Sequence, residues 1–365
     1  MSVFERNTWC LLGVPIDVIG YRQAIDRVWS SVETGQRCFF STPNLNFIIT
    51  ASSDRAFLES VICSDLVLLD GMPPVWIARL LGIPGIEKIS GSNLFETLWQ
   101  EPPAGGRKIR VFLFGGEDGV AATACERINR LARGIECVGH YYPGFDTVEA
   151  MSSKQILERI NTTDADFVVV ALGAKKGQAW IMANLDKLRA PVVSHLGAVV
   201  NFAAGNIARA PGWMQTLGLE WVWRICQEPA LWKRYFFDGL RLVELLVFKV
   251  MPYVLWRRLH SRRLKGTYPV EYSITEDEQS ATIHLHGDCL QGTISPLRTL
   301  FEREASKCRP LTLDLAGVDL IDGAFLGLCL SLYILALEHD FDLRFINPGP
   351  AQRRIFKWNS AEYLL

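Results

Sequence analysis

The sequence predicts a doubly wound α/β fold with a mostly parallel, Rossmann-like sheet and helices on both faces. Short apolar runs alternate with segments of helical periodicity over about the first 220 of the 365 residues, and most runs end at a glycine or a small polar residue. Parallel strands that are buried on both faces have this composition. The predicted strands are 10–19 (with a turn), 38–41, 66–69, 109–114, 135–141, 167–172 and 191–196.

Between these runs, apolar residues recur at the spacing of helices that bury one face. In the first such segment, Ile25, Val28, Trp29 and Val32 fall on one side. The predicted helices are 21–33, 45–60, 73–81, one from a cap at residue 92 or 93 to 99, 120–133, 152–161 and 180–188.

Composition limits the class of protein. With 49% apolar residues, the chain is expected to bury a large core and to form more than one domain. The net charge of −1 does not indicate nucleic-acid binding. Nine dispersed cysteines are typical of a reducing cytosol with unpaired, mostly structural thiols. Arg241, Glu244 and Lys249 interrupt the best candidate for a bilayer-crossing run, so a cytoplasmic protein is expected.

Two of the predicted strands lead to polar residues. Thr42-Pro43-Asn44 follows the strand 38–41, and Asp70-Gly71 follows the strand 66–69. Because ligands of open α/β sheets collect at the carboxyl ends of strands, this hydroxyl, amide and carboxylate could form the floor of an active site. Equally, Asp70-Gly71 could be only a turn and Thr42 only a helix cap.

Glycines follow three further strands, at Gly115-Gly116, Gly173 and Gly197. Glycine there lets backbone N–H groups approach a phosphate at a helix N-terminus, although simple turn chemistry is the alternative. No GxGxxG, P-loop, HExxH or GxSxG pattern is present, and no metal or cofactor is expected. Asp164-Ala165-Asp166 resembles a metal-holding DxD but precedes a strand, which favours a solvated loop.

Several segments resemble the WecG/TagA/CpsF glycosyltransferases over about residues 8–240. They are Thr42-Pro43-Asn44, residues 51–71, Ser90-Gly91-Ser92, and residues 111–116, 168–180 and 209–229. The last segment, RAPGWMQTLGLEWVWRICQEP, is the most specific, since its elements fall in family order and spacing.

The resemblance implies an inverting transferase that moves a sugar from a UDP-sugar to a polyprenyl-diphosphate-linked saccharide, without a DxD-bound metal, in bacterial cell-surface or exopolysaccharide synthesis. Asp70 matches the family's proposed general base, and Thr42 joins it as a predicted catalytic residue. The predicted substrate-binding residues are Asn44, Gly71, Ser92, Gly115, Gly116, Gly173, Lys176, Gln178, Gly197, Arg209, Glu220, Arg224 and Arg234.

The sequence departs from the family in two places. Gly177 and Gln178 replace the usual Gln-Glu, and Asn93 replaces the usual aspartate. Both changes lie where sugars would be contacted, so an N-acetylmannosamine donor is not assumed, and glucose or a uronic acid stays open.

Residues 221–265 are rich in aromatic, apolar and basic residues. Such a segment suits the headgroup layer of an anionic membrane, with Arg257, Arg258, Arg262, Arg263 and Lys265 as its basic cluster. Pro252 is expected to kink any helix there. The alternative is a helix packed on the sheet or on another subunit. By the resemblance, this appendage docks to the inner face of the cell membrane, and Arg224 and Arg234 neutralise the leaving diphosphate.

From residue 268 the pattern resembles a small α/β STAS domain of the anti-sigma-factor-antagonist type. The regulators carry a phosphorylatable hydroxyl after the aspartate, whereas Gly323 follows Asp322 here, so a phosphoswitch is not expected. A protein-docking or dimerising module is the main interpretation, with a purely structural appendage as the alternative. The expected domains are 1–220, 221–267 and 268–365.

Two functions of different classes follow. The first is the membrane-associated glycosyltransferase with a docking domain. The second is a noncatalytic scaffold that binds a nucleotide-sugar or partners and signals through the STAS-like domain. Because Asp70, Thr42, Asn44 and the 209–220 block are all present, the sequence favours the enzyme.

Overall fold

The computed structural model describes residues 3–102, 106–131, 133–260, 269–277 and 279–365. It opens with an antiparallel hairpin, β1 (Thr8–Leu11) and β2 (Val14–Asp17). The main sheet then has six strands: β3 (Cys38–Ser41), β4 (Leu66–Val67), β5 (Ile109–Gly115), β6 (Ile135–Tyr141), β7 (Phe167–Ala171) and β8 (Val192–His195). Their order is β4-β3-β8-β7-β5-β6, and all neighbours are parallel. The predicted doubly wound fold is confirmed.

Helices cover both faces of this sheet. They are α1 (Tyr21–Thr34), α2 (Leu45–Ala51), α3 (Arg55–Ile62), α4 (Met72–Leu80), α5 (Gly91–Gln100), α6 (Val120–Leu131), α7 (Lys154–Asn161), α8 (Ala174–Asn184), α9 (Val199–Ala204), α10 (Gly212–Thr216) and α11 (Glu220–Gln227). One apolar core lies between the sheet and α1, α5, α6 and α9, and a second lies under α7 and α8.

Two local predictions were wrong. The helix expected over 45–60 is divided into α2 and α3, because the Asp54 side chain accepts a hydrogen bond from the Phe57 N–H (3.1 Å) and so caps a new helix. The thiols were expected to be unpaired, but Cys125 of α6 and Cys137 of β6 form a disulfide bond.

The appendage is a long, nearly continuous helix formed by α12 (Trp232–Leu245), a π-helical turn (Leu246–Val250) and α13 (Met251–Leu259). The irregularity expected at Pro252 takes the form of this π-helical turn, after which Pro252 lies in the first turn of α13. A proline is tolerated there because its missing N–H has no partner to lose. The predicted basic residues Arg262, Arg263 and Lys265 lie outside the described residues.

The C-terminal domain has a four-stranded sheet in the order β12-β11-β10-β9. Its elements are β9 (Glu271–Glu276), β10 (Ala281–Cys289), α14 (Ser295–Ala305), β11 (Leu311–Ile321), α15 (Gly323–His339), β12 (Leu343–Ile346) and α16 (Pro350–Trp358). The small α/β domain is confirmed, although the sequence did not predict α16.

A third apolar core joins this domain to the β1–β2 hairpin, α2, α3, α4 and α13. The expected domain limits at 220/221 and 267/268 therefore stay predictions, because the packing runs across both. Within the described ranges, no helix is long and apolar enough to cross a membrane.

Candidate active site at the carboxyl edge of the sheet

The loops that leave β3 and β4 are joined at Asp70. Its backbone N–H donates to the carbonyl of Pro43 (2.9 Å), and two residues earlier Leu68 bonds to Ser41 in the same way (2.9 Å). Gly71 then caps α4 with φ +82°, a left-handed conformation that glycine adopts without strain. The predicted neighbourhood of Asp70 and the Thr42-Pro43-Asn44 loop is therefore present in the structure.

The Asp70 carboxyl group has a raised pKa, with burial as the main cause. Burial raises the pKa of Asp70 to about 7, and the nearby Glu220 carboxylate adds to the rise, whereas Lys88 and Arg224 lower it. Lys88 Nζ lies 2.5 Å from Glu220 Oε1, so α11 is tied to the loop before α5 beside Asp70. A general base is most effective when its pKa lies near the working pH.

A small cavity of about 50 Å³ opens between α5, α9 and α11. Its lining is Ser90, Ser92, Asn93, Phe202, Ile207, Ala208, Arg209, Ala210, Gln215, Glu220, Trp223 and Arg224. The guanidinium groups of Arg209 and Arg224 lie 5.6 Å and 5.9 Å from the centre of the Phe202 ring. Arg224 Nε is buried with no hydrogen-bond partner in the described part of the chain, so it could bind an anion that enters the cavity.

Arg209 is already engaged by the protein. It donates to the Ser92 carbonyl (2.6 Å) and to Asn93 Oδ1 (3.0 Å), and it pairs with Glu96. These contacts fix the start of α5 against the segment before α10. In this arrangement Arg209 shapes the cavity, and Ser92 contributes the backbone carbonyl that accepts from Arg209.

Thr42 and Asn44 occupy different environments. Thr42 is buried, and a Cβ at Gly91 would lie only 3.1 Å from its hydroxyl oxygen, so the glycine lets α5 begin close to the end of β3. Asn44 is exposed, and its Oδ1 caps α2 by accepting from the Phe47 N–H (3.1 Å). The sequence offered Thr42 as a helix cap, but the cap of α2 is Asn44, and its amide nitrogen is the group left for a ligand.

The glycines at the strand ends serve several purposes. A Cβ at Gly115 would lie 2.6 Å from the Ala171 carbonyl oxygen, so this glycine allows β5 and β7 to approach closely. Gly116 donates to the same carbonyl (2.8 Å). Gly173 and Gly197 are exposed at the carboxyl edge. Gly173, with φ +74°, opens α8 and has open space around it.

The predicted sugar-contacting segment of α8 lies largely in the interior, which is a correction. Gln178 is fully buried, and its amide nitrogen donates to Ser41 Oγ (2.8 Å). A Cβ at Gly177 would meet the His195 ring, so the imidazole fills the space that a longer side chain would need. Burial lowers the pKa of His195 to about 4, and its Nε2 has no partner among the described residues. Lys176 donates to the Asp146 carbonyl (2.9 Å) and holds the loop after β6.

Two other expectations need correction. Arg234 is exposed on α12, stacked on Tyr235 (5.1 Å to the ring centre), and does not line the cavity. Asp166, expected in a solvated loop, is buried at the amino edge of the sheet, where it pairs with Arg107 (2.5 Å) and accepts from the Arg110 N–H (2.9 Å). Elsewhere in the described ranges, no three histidine, cysteine or acidic side chains are placed to hold a metal ion.

The sequence did not indicate a role for Lys88, Phe202 or His195. Lys88 lies two residues before the Ser90-Gly91-Ser92 loop, which was the available indication, but a single lysine forms no pattern. His195 ends β8 and Phe202 lies in α9, where the sequence alone indicates that an aromatic ring belongs to the core. Only the packing of α9 and α8 shows what they contact.

Two family models match most of the chain. The glycosyl transferase WecG/TagA/CpsF family matches residues 9–255, and the Mlab-type STAS domain matches residues 272–362. The chain spans about three quarters of two Bacillus relatives, each named N-acetylglucosaminyldiphosphoundecaprenol N-acetyl-beta-D-mannosaminyltransferase. The relative from Bacillus spizizenii (strain W23) is 32% identical over 196 residues, which is 52% of this chain and 74% of the relative.

The relative from Bacillus subtilis (strain 168) is 30% identical over 194 residues, which is 53% of this chain and 73% of the relative. A relative of the same name from Staphylococcus aureus (strain MW2) is 24% identical over 255 residues, covering 68% of this chain and 96% of the relative. The fold and these matches define the class of protein as an α/β glycosyltransferase with a C-terminal STAS domain. The chain belongs to the WecG/TagA/CpsF family.

Proposed function

We propose that this protein transfers a sugar from a UDP-sugar to a polyprenyl-diphosphate-linked saccharide, with Asp70 as the general base. The observation that carries the proposal is the Asp70 carboxylate at the carboxyl edge of the sheet, with its pKa raised to about 7 by burial and by Glu220. The names of the three relatives support the class of acceptor, since each contains diphosphoundecaprenol.

In the proposed reaction, the acceptor hydroxyl oxygen attacks the anomeric carbon of the donor while its proton passes to Asp70. The bond between that carbon and the diphosphate oxygen breaks, and UDP leaves with the electron pair. A single displacement inverts the configuration, so an α-linked donor gives a β-linked product. Thr42, buried beside the end of β3, is the proposed partner that orients the acceptor or donor near Asp70.

Positive side chains would stabilise the leaving diphosphate. Arg224 is the first candidate, because its Nε is buried beside the cavity without a partner in the described ranges. Lys88 is the second, because it lies close enough to lower the pKa of Asp70. We propose that these groups supply the charge that a divalent cation supplies in other transferases. Transfer in the presence of EDTA at an undiminished rate is the expected result.

The appendage provides the proposed membrane contact. Apolar side chains recur every three or four residues along the exposed face of α12 and α13, and such an exposed apolar stripe is typical of a membrane or partner contact. They are Trp232, Phe236, Phe237, Leu240, Val243, Val247, Phe248, Met251, Leu255 and Leu259. Lys233, Arg234, Arg241 and Arg258 are exposed on the same helices and would attract anionic headgroups. Arg257, which the sequence placed in the basic cluster, packs against Gly82 instead. We therefore propose a cytoplasmic protein on the inner face of the cell membrane.

Vesicle sedimentation tests the membrane contact. Wild type should bind vesicles that contain anionic lipid and bind neutral vesicles weakly. Serine at Phe236, Phe237 and Phe248 should reduce binding at least about tenfold, since each buried aromatic side chain contributes about 1.5–3 kcal/mol. Phe145→Ser, at an exposed aromatic residue on the loop after β6, is the matched control. If the triple variant instead becomes monomeric from a dimer, the stripe covers a second copy and the membrane proposal is wrong.

The transfer itself is tested with a panel of UDP-sugars and polyprenyl-diphosphate-linked saccharides in detergent. The expected result is one donor that releases UDP and one product heavier than its acceptor by a single sugar. Donor binding without any product across the panel would contradict the enzyme and favour the noncatalytic scaffold. The panel also identifies the sugar, for which the interior placement of Gln178 removes one expected contact.

A further inference from the structure

The start of α15 is covered by the chain's own hairpin. A Cβ at Gly327 would lie 2.1 Å from the Thr8 carbonyl oxygen, and a Cβ at Gly323 would lie 3.2 Å from the Trp9 ring. The two glycines, four residues apart, share one side of α15 and allow the β1 backbone to approach the helix closely. Gly323, the residue after Asp322, therefore has no hydroxyl group and lies beneath Trp9.

Other contacts continue the same interface. Arg298 of α14 donates to the carbonyls of Phe4 and Arg6 (2.9 Å each). The Tyr363 hydroxyl donates to the Gly13 carbonyl (2.6 Å), and the Arg55 guanidinium lies 4.6 Å from the centre of the Tyr363 ring. These bonds connect the N-terminal segment and α3 with the C-terminal domain around a shared apolar core.

The C-terminal domain also holds the appendage helix. Tyr253 of α13 is fully buried, with its ring 6.3 Å from that of Trp358. On the preceding turn, Lys249 donates to the Lys357 carbonyl (2.6 Å). Arg257 occupies the space where a Cβ of Gly82 would lie. Burial raises the pKa of Asp322, and the Arg257 charge offsets part of that rise. Arg257 thus lies where α13, the loop after α4 and the start of α15 meet.

We propose that the STAS-like domain acts within its own chain, as a fixed support that holds α12–α13 against the transferase with the apolar stripe outward. Its α15 surface is occupied by β1, so it is not available to an exchangeable regulator. The membrane part of this inference rests on the proposed function. The association of the domain with the rest of the chain does not.

The test uses the full chain with a site for a specific protease inserted between residues 260 and 269. After cleavage, the two fragments of wild type should elute together in size-exclusion chromatography at micromolar concentration, and vesicle binding should be unchanged. Complete separation of the fragments while vesicle binding and transfer persist would overturn the proposal. Fragments that co-elute but catalyse no transfer would agree with the proposed supporting role of the domain and contradict only the proposed activity.

Two matched alanine substitutions locate the interface. Gly327→Ala places a methyl group against the β1 backbone, whereas Gly239→Ala places one in open space on α12. Both changes raise helix propensity equally, so their difference reports packing. After cleavage, Gly327→Ala should release the C-terminal fragment at least about tenfold more readily, and Gly239→Ala should behave as wild type. Equal behaviour of the two variants would show that β1 does not hold α15.

Discussion

Two of the Asp-Gly dipeptides in the sequence lie at matching places in the two sheets, and these two have different roles. Asp322-Gly323 follows β11 and begins α15, while Asp70-Gly71 follows β4 and precedes α4. Asp322 is itself the helix cap: its Oδ1 accepts from the N–H groups of Ala324 and Phe325 (3.0 Å each) and its Oδ2 from Gln291 (2.9 Å).

At the other site the cap is one residue later. Gly71, with φ +82°, takes the cap position of α4, so the Asp70 carboxylate is displaced from the helix end and lies near Glu220, Lys88 and Arg224. A single left-handed glycine thus distinguishes Asp70, a candidate base, from Asp322, whose role is structural. The following predictions test this difference.

Among changes that leave both carboxylates in place, the largest effect is expected from Gly71→Ala. A Cβ at φ +82° costs about 1 kcal/mol or more, and relief of that strain would move Asp70. Transfer should fall at least about tenfold, since small displacements of a catalytic group are costly. Gly323→Ala, where φ is not left-handed, should leave the rate per folded molecule unchanged. Steady-state rates with matched protein concentrations check both, and an active Gly71→Ala protein would contradict the role given to this glycine.

Asp322→Ala should affect stability alone. It removes the partner of three backbone N–H groups, for which the loss of a cap and of a buried bond predicts about 1–3 kcal/mol in the free energy of unfolding. Thermal unfolding followed by circular dichroism measures the loss. The kcat of the folded protein should match that of wild type; a fall in kcat would mean that Asp322 communicates with the site.

The pH dependence of transfer should follow Asp70. Because its pKa is raised to about 7 and the base acts when ionised, the rate should rise as pH passes from 6 to 8. Glu220→Gln removes the charge that raises this pKa, so the profile should move to lower pH. Lys88→Met removes a charge that lowers it, so the profile should move to higher pH. Shifts in the same direction for both variants would contradict this electrostatic arrangement.

The smallest effect is a gain in stability for Asp70→Asn. The pKa of Asp70 is higher in the folded than in the unfolded protein, so its contribution to stability is lost as pH rises toward about 7. The asparagine should therefore stabilise the protein by about 1 kcal/mol or more at pH 8 and by less at pH 5. The measurement is the unfolding midpoint of both proteins at both pH values. A variant that is less stable than wild type at pH 8 would show that ionised Asp70 does not destabilise the folded protein.

Local patterns predicted the sheet because strand ends and helix faces are encoded in adjacent residues. The loops carrying Thr42 and Asp70 meet because β3 and β4 are neighbouring parallel strands. The sequence could not show that Glu220 pairs with Lys88, since 132 residues separate them. The interior position of Gln178 was missed for a similar reason: Gln178 lies on α8, and its partner, Ser41, lies on β3, 137 residues away.

The C-terminal domain shows the same limit on a larger scale. Its strands and α15 follow from alternation and from a long apolar run, but the cover over Gly323 comes from residues 8–10 at the other end of the chain. The absent hydroxyl was visible in the sequence, whereas the buried position beneath Trp9 needed the structure. The sequence predicts a protein-docking module. In our proposal, this module docks to its own chain.

The most direct test of the account is a comparison of Asp70→Asn and Asp322→Asn in the same transfer assay, with the donor and acceptor that wild type uses. The account predicts that Asp70→Asn loses about 10²–10⁴-fold in kcat while Asp322→Asn stays within about twofold of wild type. Comparable activity of the two variants, or a larger loss for Asp322→Asn, would contradict the assignment of Asp70 as the base.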